Sequence, residues 1–325
     1  MRYNVNDHGC FENGSCTFRY VNGGILTGIG TFGLLLNAVE IYFLSYMITL
    51  TTQKIFLLNV AINDLLMSLV GMFRGLGIVS SIFLDPAVDN GVNGFCPAYA
   101  IFMNSVTSGC MLVLLPLTID RFLAIVFPLH HRYLINEERS KVLVVFTWIL
   151  PVFLLIFDTG TFLHGHKQII YHPKYHRCVS QDKVESAAVQ IAAVMCPLVI
   201  IPCLYTAMLA TICHHRLKCK RFFITATAIV ITGLMAYLPS ALTSMFDIPM
   251  SYEFSQVATV TIYYSNSIIN PLIYFCFHPK AKAAVLASSR GHEVPSRLFS
   301  TSRAPNPAIS SDHTVRNTEF TENEV

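Results

Sequence analysis

Seven long apolar stretches constrain this chain more than any other feature of its sequence. A helix of about 20 apolar residues spans a hydrocarbon layer roughly 30 Å thick. Backbone polar groups inside lipid must be satisfied within their own segment, so such stretches form helices. The stretches run from about Gly23 to Leu50, Ile55 to Ile82, Pro97 to Val126, Val142 to Phe162, Ala187 to Cys213, Phe222 to Phe246 and Phe254 to Phe277. The sequence therefore predicts an all-α bundle of seven transmembrane helices.

Composition agrees with a membrane protein. Hydrophobic residues make up 53% of the chain and charged residues only 13%, which is too apolar for a soluble surface. The net charge of +3 is not gathered into a basic stripe, so nucleic acid is not an expected partner. We divide the chain into an extracellular N-terminal segment at 1–22, a seven-helix domain at 23–277, and a cytoplasmic tail at 278–325 that begins with a short amphipathic helix.

The orientation of the bundle follows from basic residues in the short connections, which favour the cytoplasmic side. The link after span three carries Arg132, Arg139 and Lys141, and the link after span five carries Arg216, Lys218, Lys220 and Arg221. These links are predicted to be cytoplasmic, although four basic residues after span four weaken the asymmetry. The N-terminus is then outside and the C-terminus inside. Asn13, in the sequence Asn13-Gly14-Ser15, is a candidate glycosylation site on the outer side.

Each span also carries a characteristic polar, proline or aromatic residue. The set comprises Asn37 in span one, Asp64 in span two, Cys96 and Asp120-Arg121-Phe122 at the two ends of span three, Trp148 in span four, Pro197 with Tyr205 in span five, Pro239 in span six, and Asn270-Pro271-Leu272-Ile273-Tyr274 in span seven. This series of spacings resembles the rhodopsin-like (class A) G-protein-coupled receptors. The resemblance implies a multi-pass plasma-membrane receptor that converts binding of an extracellular ligand into activation of a heterotrimeric G protein.

The resemblance assigns roles to two groups of residues and pairs two cysteines. A charged guanidinium at the inner end of an apolar helix is costly without partners, so Arg121 is a candidate switch residue, with a simple membrane anchor as the alternative. The implied disulfide joins Cys96 to Cys178, while Cys10 and Cys16 are a second candidate pair. The G-protein coupling set is Asp120, Arg121, Phe122, Pro128, Leu129, Tyr205 and Tyr274. The activation network is Asn37, Asp64, Met111, Pro197, Tyr237, Pro239, Asn270 and Pro271.

A cluster of polar residues within the spans resembles the sodium site of this family. Carboxylate, amide and hydroxyl oxygens suit a hard cation. The residues are Asp64, Cys110, Asn266, Ser267 and Asn270, and Na⁺ is the one ion expected, with no other cofactor. Cys110 stands where a hydroxyl is usual, and a thiol is a poor ligand for such an ion. The alternative is a hydrogen-bond network that stabilises helix packing.

Several positions depart from the family's pattern. Gly233 and Tyr237 stand in span six where Phe and Trp are common, so the usual aromatic pair is altered. Pro239 still removes a backbone hydrogen bond and can kink the helix. Cys219 stands where many members carry an acidic partner for Arg121, and Glu40 is an unexpected carboxyl in span one. These departures predict altered control of activation.

The chain lacks two residues that bind particular classes of ligand in this family. Tyr264 stands where opsins carry the lysine that forms a Schiff base, and Met103 stands where monoamine receptors carry an aspartate. Arg74 remains as a charged group in the outer half of span two, where it could bind a carboxylate, a phosphate or a peptide C-terminus. The alternative is an internal pair with Asp158. The predicted pocket walls are Arg74, Met103, Thr107, Tyr237, Tyr263 and Tyr264.

Three other functions are alternatives to that of a ligand-binding receptor. An opsin-like photoreceptor with non-covalent retinal, or none, is an alternative. A transporter should show two similar halves, and an intramembrane metalloenzyme should show a motif such as HExxH; the sequence has neither.

Besides the G protein, the expected partners are an extracellular ligand, membrane lipid and arrestin. Arrestin would bind phosphorylated residues of the tail, including Ser300, Thr301, Ser302, Ser310 and Ser311.

Overall fold

The computed structural model describes residues 16–47, 52–80, 95–164, 169–172, 177–180, 185–215, 221–246 and 252–277. Within these ranges, helices alternate with short connections, and a two-stranded hairpin precedes the fifth span. The elements are α1 Cys16–Met47, α2 Thr52–Val79, α3 Phe95–Leu112, α4 Leu114–Val126, α5 Pro128–Leu134, α6 Glu137–Leu163, β1 Ile169–His172, β2 Arg177–Ser180, α7 Glu185–His215, α8 Arg221–Phe246 and α9 Tyr252–Phe277.

The seven predicted spans correspond to helices, which confirms the seven-helix bundle. Counting only the described residues, five of them, α1, α2, the α3–α4 pair, α6 and α7, are long and apolar enough to cross a membrane. Span three is divided between α3 and α4 at Val113, but that residue keeps α-helical torsion angles and its N–H bonds to the carbonyl of Gly109 at 2.9 Å. Span three therefore runs as one nearly continuous helix from Phe95 to Val126. The first helix begins at Cys16, seven residues before the predicted Gly23.

The outer halves of α1 and α2 pack backbone against backbone. A Cβ atom added at Gly30 would lie 2.4 Å from the Met72 nitrogen, and one added at Gly75 would lie 2.4 Å from the Thr27 nitrogen. Small residues permit this close approach, as they commonly do between helices in lipid. The contact fixes α2, and with it the two charged residues Asp64 and Arg74.

The loop between α6 and α7 is not wholly irregular. Strands β1 and β2 pair antiparallel, with Tyr171 opposite Cys178. Cys178 forms a disulfide with Cys96 at the start of α3, which confirms the predicted pairing. The all-helical prediction therefore holds for the bundle, and this hairpin is an addition to it. Its strands lie outside the spans, where the hydrophobic pattern used for the prediction carries no information.

Candidate functional site

A polar cluster occupies the outer half of the bundle around Arg74. This arginine is only 4% exposed, and its guanidinium interacts with the hydroxyl of Tyr99 in α3. The Tyr99 hydroxyl also donates to the Met103 sulfur at 3.3 Å and lies 3.4 Å from the Tyr264 hydroxyl. The structure thus joins α2, α3 and α9 through three predicted pocket residues and Tyr99, which the sequence analysis did not select.

The remaining predicted pocket residues form the next layer inward. The Tyr263 hydroxyl donates to Thr107 Oγ1 at 2.9 Å. The ring of Tyr263 packs edge-on against Tyr237, with centroids 4.8 Å apart, and against Tyr264 at 5.2 Å. All six predicted pocket residues therefore lie in one continuous group across α2, α3, α8 and α9. Tyr264 offers a phenol rather than an amine, so this position cannot form a Schiff base.

Asp158, the alternative partner predicted for Arg74, lies in α6. Its carboxylate is fully buried and accepts a hydrogen bond from the Asn104 amide at 3.3 Å. Nearby, the Ser105 hydroxyl donates to the carbonyl of Pro151 within α6 at 2.7 Å. Asp158 therefore contributes to the α3–α6 interface through Asn104.

The polar network in the middle of the bundle connects α1, α2 and α9. The Asn270 amide donates to Asp64 at 2.7 Å, and the Asn37 amide donates to the carbonyl of Ser267 at 2.7 Å. Glu40 is buried one turn inward from Asn37, close enough to Asp64 for their charges to interact. The predicted network residues Met111 and Pro197 are buried in α3 and α7, and the helices α8 and α9 contain Pro239 and Pro271.

The five residues predicted to bind sodium fit a cation unequally. Asp64 supplies a buried carboxyl, Ser267 a buried hydroxyl, and Asn266 a buried side-chain oxygen that has no hydrogen-bond partner within the described chain. Asn270 presents its amide N–H to Asp64, and the Cys110 sulfur accepts from the Asn63 amide at 3.1 Å. Three of the five therefore offer oxygen to a hard cation in this arrangement. Among the described residues, no group of three His, Cys, Asp or Glu side chains could hold a metal.

The C-terminal end of α4 carries the predicted coupling residues. The fully buried carboxylate of Asp120 forms an ion pair with Arg121 through one oxygen. Its other oxygen lies 2.9 Å from Nε2 of His131 in α5. Phe122 packs edge-on against Phe127 at 5.9 Å. These contacts place α5 directly against the Asp120-Arg121-Phe122 sequence.

Helix α5 presents an exposed face beside this arginine. Pro128 occupies the first turn, where a missing N–H has no cost, and helps α5 to begin. Leu129 is 89% exposed and Tyr133 74% exposed. An apolar side chain this exposed on a loop helix is available to a protein partner. Leu129 was selected from the sequence, whereas Tyr133 was not.

Two buried tyrosines complete the inner half of the bundle. Tyr205 of α7 lies near the charge of Arg121, and its ring faces Phe223 of α8 at 6.5 Å. Tyr274 of α9 is fully buried, and its hydroxyl lies within electrostatic reach of Glu40. Both are predicted coupling residues, and each joins a different pair of helices.

Sequence reasoning missed three functional candidates, Tyr99, His131 and Asn63. Each is an ordinary polar residue on a predicted helix or loop. Only their contacts identify them: Tyr99 interacts with Arg74, His131 with Asp120, and Asn63 with Cys110. The histidine had one available signal, since it follows Pro128 at a spacing that allows one short helical turn. Several other predicted residues lie outside the described ranges, namely Asn13, Cys10, Cys219 and the serines and threonines of the tail.

The chain is similar to known receptors and rhodopsins along most of its length. The family described as "7 transmembrane receptor (rhodopsin family)" matches residues 37–274. Mas-related G-protein coupled receptor member B5 of Mus musculus is 25% identical over 286 residues, covering 83% of this chain and 81% of that protein. A rhodopsin of Mizuhopecten yessoensis described as GQ-coupled is 23% identical over 301 residues, covering 82% of this chain but 59% of the rhodopsin. Squid rhodopsin has the same fold, with a TM-score of 0.68, 17% identity and coverage of 89% and 90% of the two chains.

Proposed function

Because the chain belongs to the rhodopsin family of seven-transmembrane, G-protein-coupled receptors, we propose that it responds to an anionic extracellular ligand bound at Arg74. The observation that carries this proposal is a guanidinium only 4% exposed in the outer half of a membrane helix. A permanent charge in that position carries a high free-energy cost, which indicates a role in ligand binding or in an internal ion pair. The surrounding tyrosines supply hydroxyl groups that would orient an acidic group without neutralising the arginine.

The chemistry of the pocket favours a ligand with one acidic group and an apolar or aromatic body. Arginine binds carboxylate and phosphate through two parallel N–H donors. Next to it, Met103 offers a polarisable thioether, and the rings of Tyr263 and Tyr264 form an aromatic wall. Such a combination suits a small carboxylic or phosphoric acid, or the free C-terminus of a peptide.

The ligand class is tested with matched pairs that differ only in charge. Peptides with a free C-terminal carboxylate are compared with their amidated forms, and small acids with their methyl esters, in cells that express the full-length receptor. The acid should activate and the neutral partner should not. Arg74→Ala should abolish this response and Arg74→Lys should weaken it at equal surface expression. Equal responses to the acid and to its neutral partner would contradict an anion site.

On the cytoplasmic side, we place G-protein coupling at Arg121 and the exposed face of α5. Opening of the bundle would release Arg121 from Asp120 and present it beside Leu129. Arg121→Ala should abolish second-messenger responses while the receptor still reaches the cell surface. Normal signalling by a well-expressed Arg121→Ala receptor would contradict this assignment.

Arrestin would bind the phosphorylated tail, and a receptor truncated before Ser300 should then internalise more slowly.

We propose Na⁺ as an allosteric ion with a reduced set of ligands. Asp64, Asn266 and Ser267 would hold it, and the ion would supply positive charge that favours the ionised carboxylate in the middle of the bundle. The thermal midpoint of the purified receptor should then rise when sodium replaces choline at constant ionic strength. Asp64→Asn is the matched control, because it removes the charge and should remove the sodium dependence.

A further inference from the structure

A histidine lies within the surface where we place G-protein coupling. Nε2 of His131 in α5 is 2.9 Å from Oδ1 of Asp120, and the second oxygen of this carboxylate is paired with Arg121. The Asp120 side chain is completely buried, whereas that of His131 is 23% exposed. The imidazole therefore reaches a buried ion pair with one nitrogen while part of the ring stays open to solvent.

The chemistry of this contact determines where the ring can take up a proton. An ionised carboxylate only accepts hydrogen bonds, so Nε2 of His131 must carry the hydrogen in its contact with Asp120. A neutral imidazole has one such hydrogen, which leaves Nδ1 as its basic atom. Histidine is the side chain that ordinarily changes its charge between about pH 5 and 8. A proton from solution can thus bind at Nδ1 without breaking the bond to Asp120.

Among the described side chains, the charged and titratable groups around His131 come from three helices. Helix α4 contributes Asp120 and Arg121. Helix α6 contributes Arg139, whose guanidinium donates to the carbonyl of Tyr133 at 2.6 Å and so lies at the far end of α5. The other groups are exposed to solvent, namely His130 on α5 itself and Glu137, Glu138 and Lys141 of α6. Asp120 is therefore the acidic group whose charge the imidazole meets directly.

We propose that His131 is a proton-binding site through which acidification of the cytosol increases G-protein coupling. The inference rests on the proposed coupling surface, formed by Arg121 and by the exposed Leu129 of α5. A proton at Nδ1 turns a neutral donor into a cationic one, and hydrogen bonds from cations to carboxylates are roughly twice as strong as neutral ones. The protonated ring holds α5, and with it Leu129, more firmly against the end of span three.

The same proton changes the ion pair between Asp120 and Arg121. Two cations then share one carboxylate, one on each oxygen, so repulsion from the imidazolium partly cancels the attraction between Asp120 and Arg121. Both effects favour the signalling arrangement, in which α5 is fixed and Arg121 leaves Asp120. The gain is present below the pH range in which histidine titrates and is lost as the pH rises through that range. Because the ring is partly exposed, nucleotide exchange on the G protein should be roughly threefold higher near pH 6 than near pH 8.

The test measures ligand-free nucleotide exchange on a panel of purified G proteins added to open membrane fragments that carry the full-length receptor, between about pH 6 and 8. Exchange with receptor-free membranes is subtracted at each pH. The unchanged receptor should show the roughly threefold rise toward low pH. His131→Gln keeps an N–H donor for Asp120 but takes up no proton, so its exchange should stay at the level of the unchanged receptor near pH 8. His131→Arg carries a permanent charge, and its exchange should stay high at every pH.

A matched control separates this ring from its neighbour. His130→Gln removes an exposed titratable ring from the same helix and should keep the full pH dependence. His131→Asn is measured beside His131→Gln, so that poor expression of one variant does not remove the test.

Several outcomes would overturn the proton site. They are exchange by the unchanged receptor that is flat or falls toward low pH, a His131→Gln or His131→Arg receptor with the normal pH dependence, and a His130→Gln receptor that has lost it. Failure of the coupling surface itself would appear differently. In that case Arg121→Ala would support the same exchange as the unchanged receptor at every pH.

Discussion

His131 Nε2 lies 2.9 Å from Asp120 Oδ1, and this contact fastens the loop helix α5 to the inner end of span three. The second carboxylate oxygen of Asp120 is bound to Arg121. One buried carboxylate therefore holds both the charged residue expected to meet the G protein and the helix that carries the exposed Leu129. The geometry of the proposed coupling surface depends on His131, although its own side chain is only partly exposed.

The first prediction is that His131→Ala weakens G-protein activation without reducing surface expression. Without the imidazole, α5 is no longer fixed to Asp120, so Leu129 is less often in position. A hydrogen bond to a buried carboxylate from a partly exposed partner contributes about 1 kcal/mol, so basal nucleotide exchange on an added G protein should fall about fivefold. His130→Ala is the matched control, because His130 is the exposed neighbour on the same helix. Equal losses in the two variants would mean that Asp120 does not position α5.

The second prediction concerns two glycines of α1 that are two residues apart. A Cβ atom at Gly30 would lie 2.4 Å from the Met72 backbone, whereas one at Gly28 would meet nothing within 4 Å. Gly30→Ala should push α1 from α2 and destabilise the bundle by about 1–3 kcal/mol, as overpacking does. Gly28→Ala should have no such effect. Thermal unfolding of the purified variants in detergent measures both, and a Gly30→Ala midpoint equal to that of Gly28→Ala would contradict the close packing.

The bundle could be predicted from the sequence because lipid imposes one simple requirement on every span. About 20 apolar residues and internal backbone hydrogen bonds are enough to locate a helix. The start of α1 was placed too late, because Tyr20 and Val21 extend the helix beyond the glycine pair at 23–24. The β1–β2 hairpin is absent from the sequence-based expectation, since its two strands are only four residues long and lie in a polar loop.

Functional residues that stand at a characteristic spacing along one helix could be predicted from the sequence. Those that are identified only by a contact between helices could not. Asp64, Arg121 and Asn270 are identified by their places along single helices. The sequence cannot show that Tyr263 reaches Thr107, because the two residues are 156 positions apart on helices whose relative rotation is set by packing. For the same reason, the sequence does not show the contact between His131 and Asp120, which depends on how α5 packs against α4.

The third prediction concerns the disulfide that ties the hairpin to the bundle. The Cys96–Cys178 bond closes a separation of 82 residues that includes spans three and four. Cys96→Ser should release β2 from α3 and lower surface expression and the response to acidic ligands together, because the start of α3, one turn before Tyr99, is no longer held by the hairpin. Cys203→Ser removes a free, exposed cysteine and is the control. Full surface expression of Cys96→Ser, with an unchanged ligand response, would show that the hairpin does not depend on this bond.

The fourth prediction uses Trp148, the single tryptophan of the chain. Its indole Nε1 donates to the Asn59 side-chain oxygen at 2.8 Å, which joins α6 to α2. An indole can only donate, so Asn59→Ala leaves it without this acceptor and should cost about 1 kcal/mol of stability. Loss of the hydrogen bond should also move the fluorescence emission of Trp148 to shorter wavelength. Asn104→Ala removes an amide from another contact with α6, the one with Asp158, and should leave the emission unchanged. An emission maximum that moves equally in both variants would indicate a general loosening of α6 and not the specific Asn59 contact.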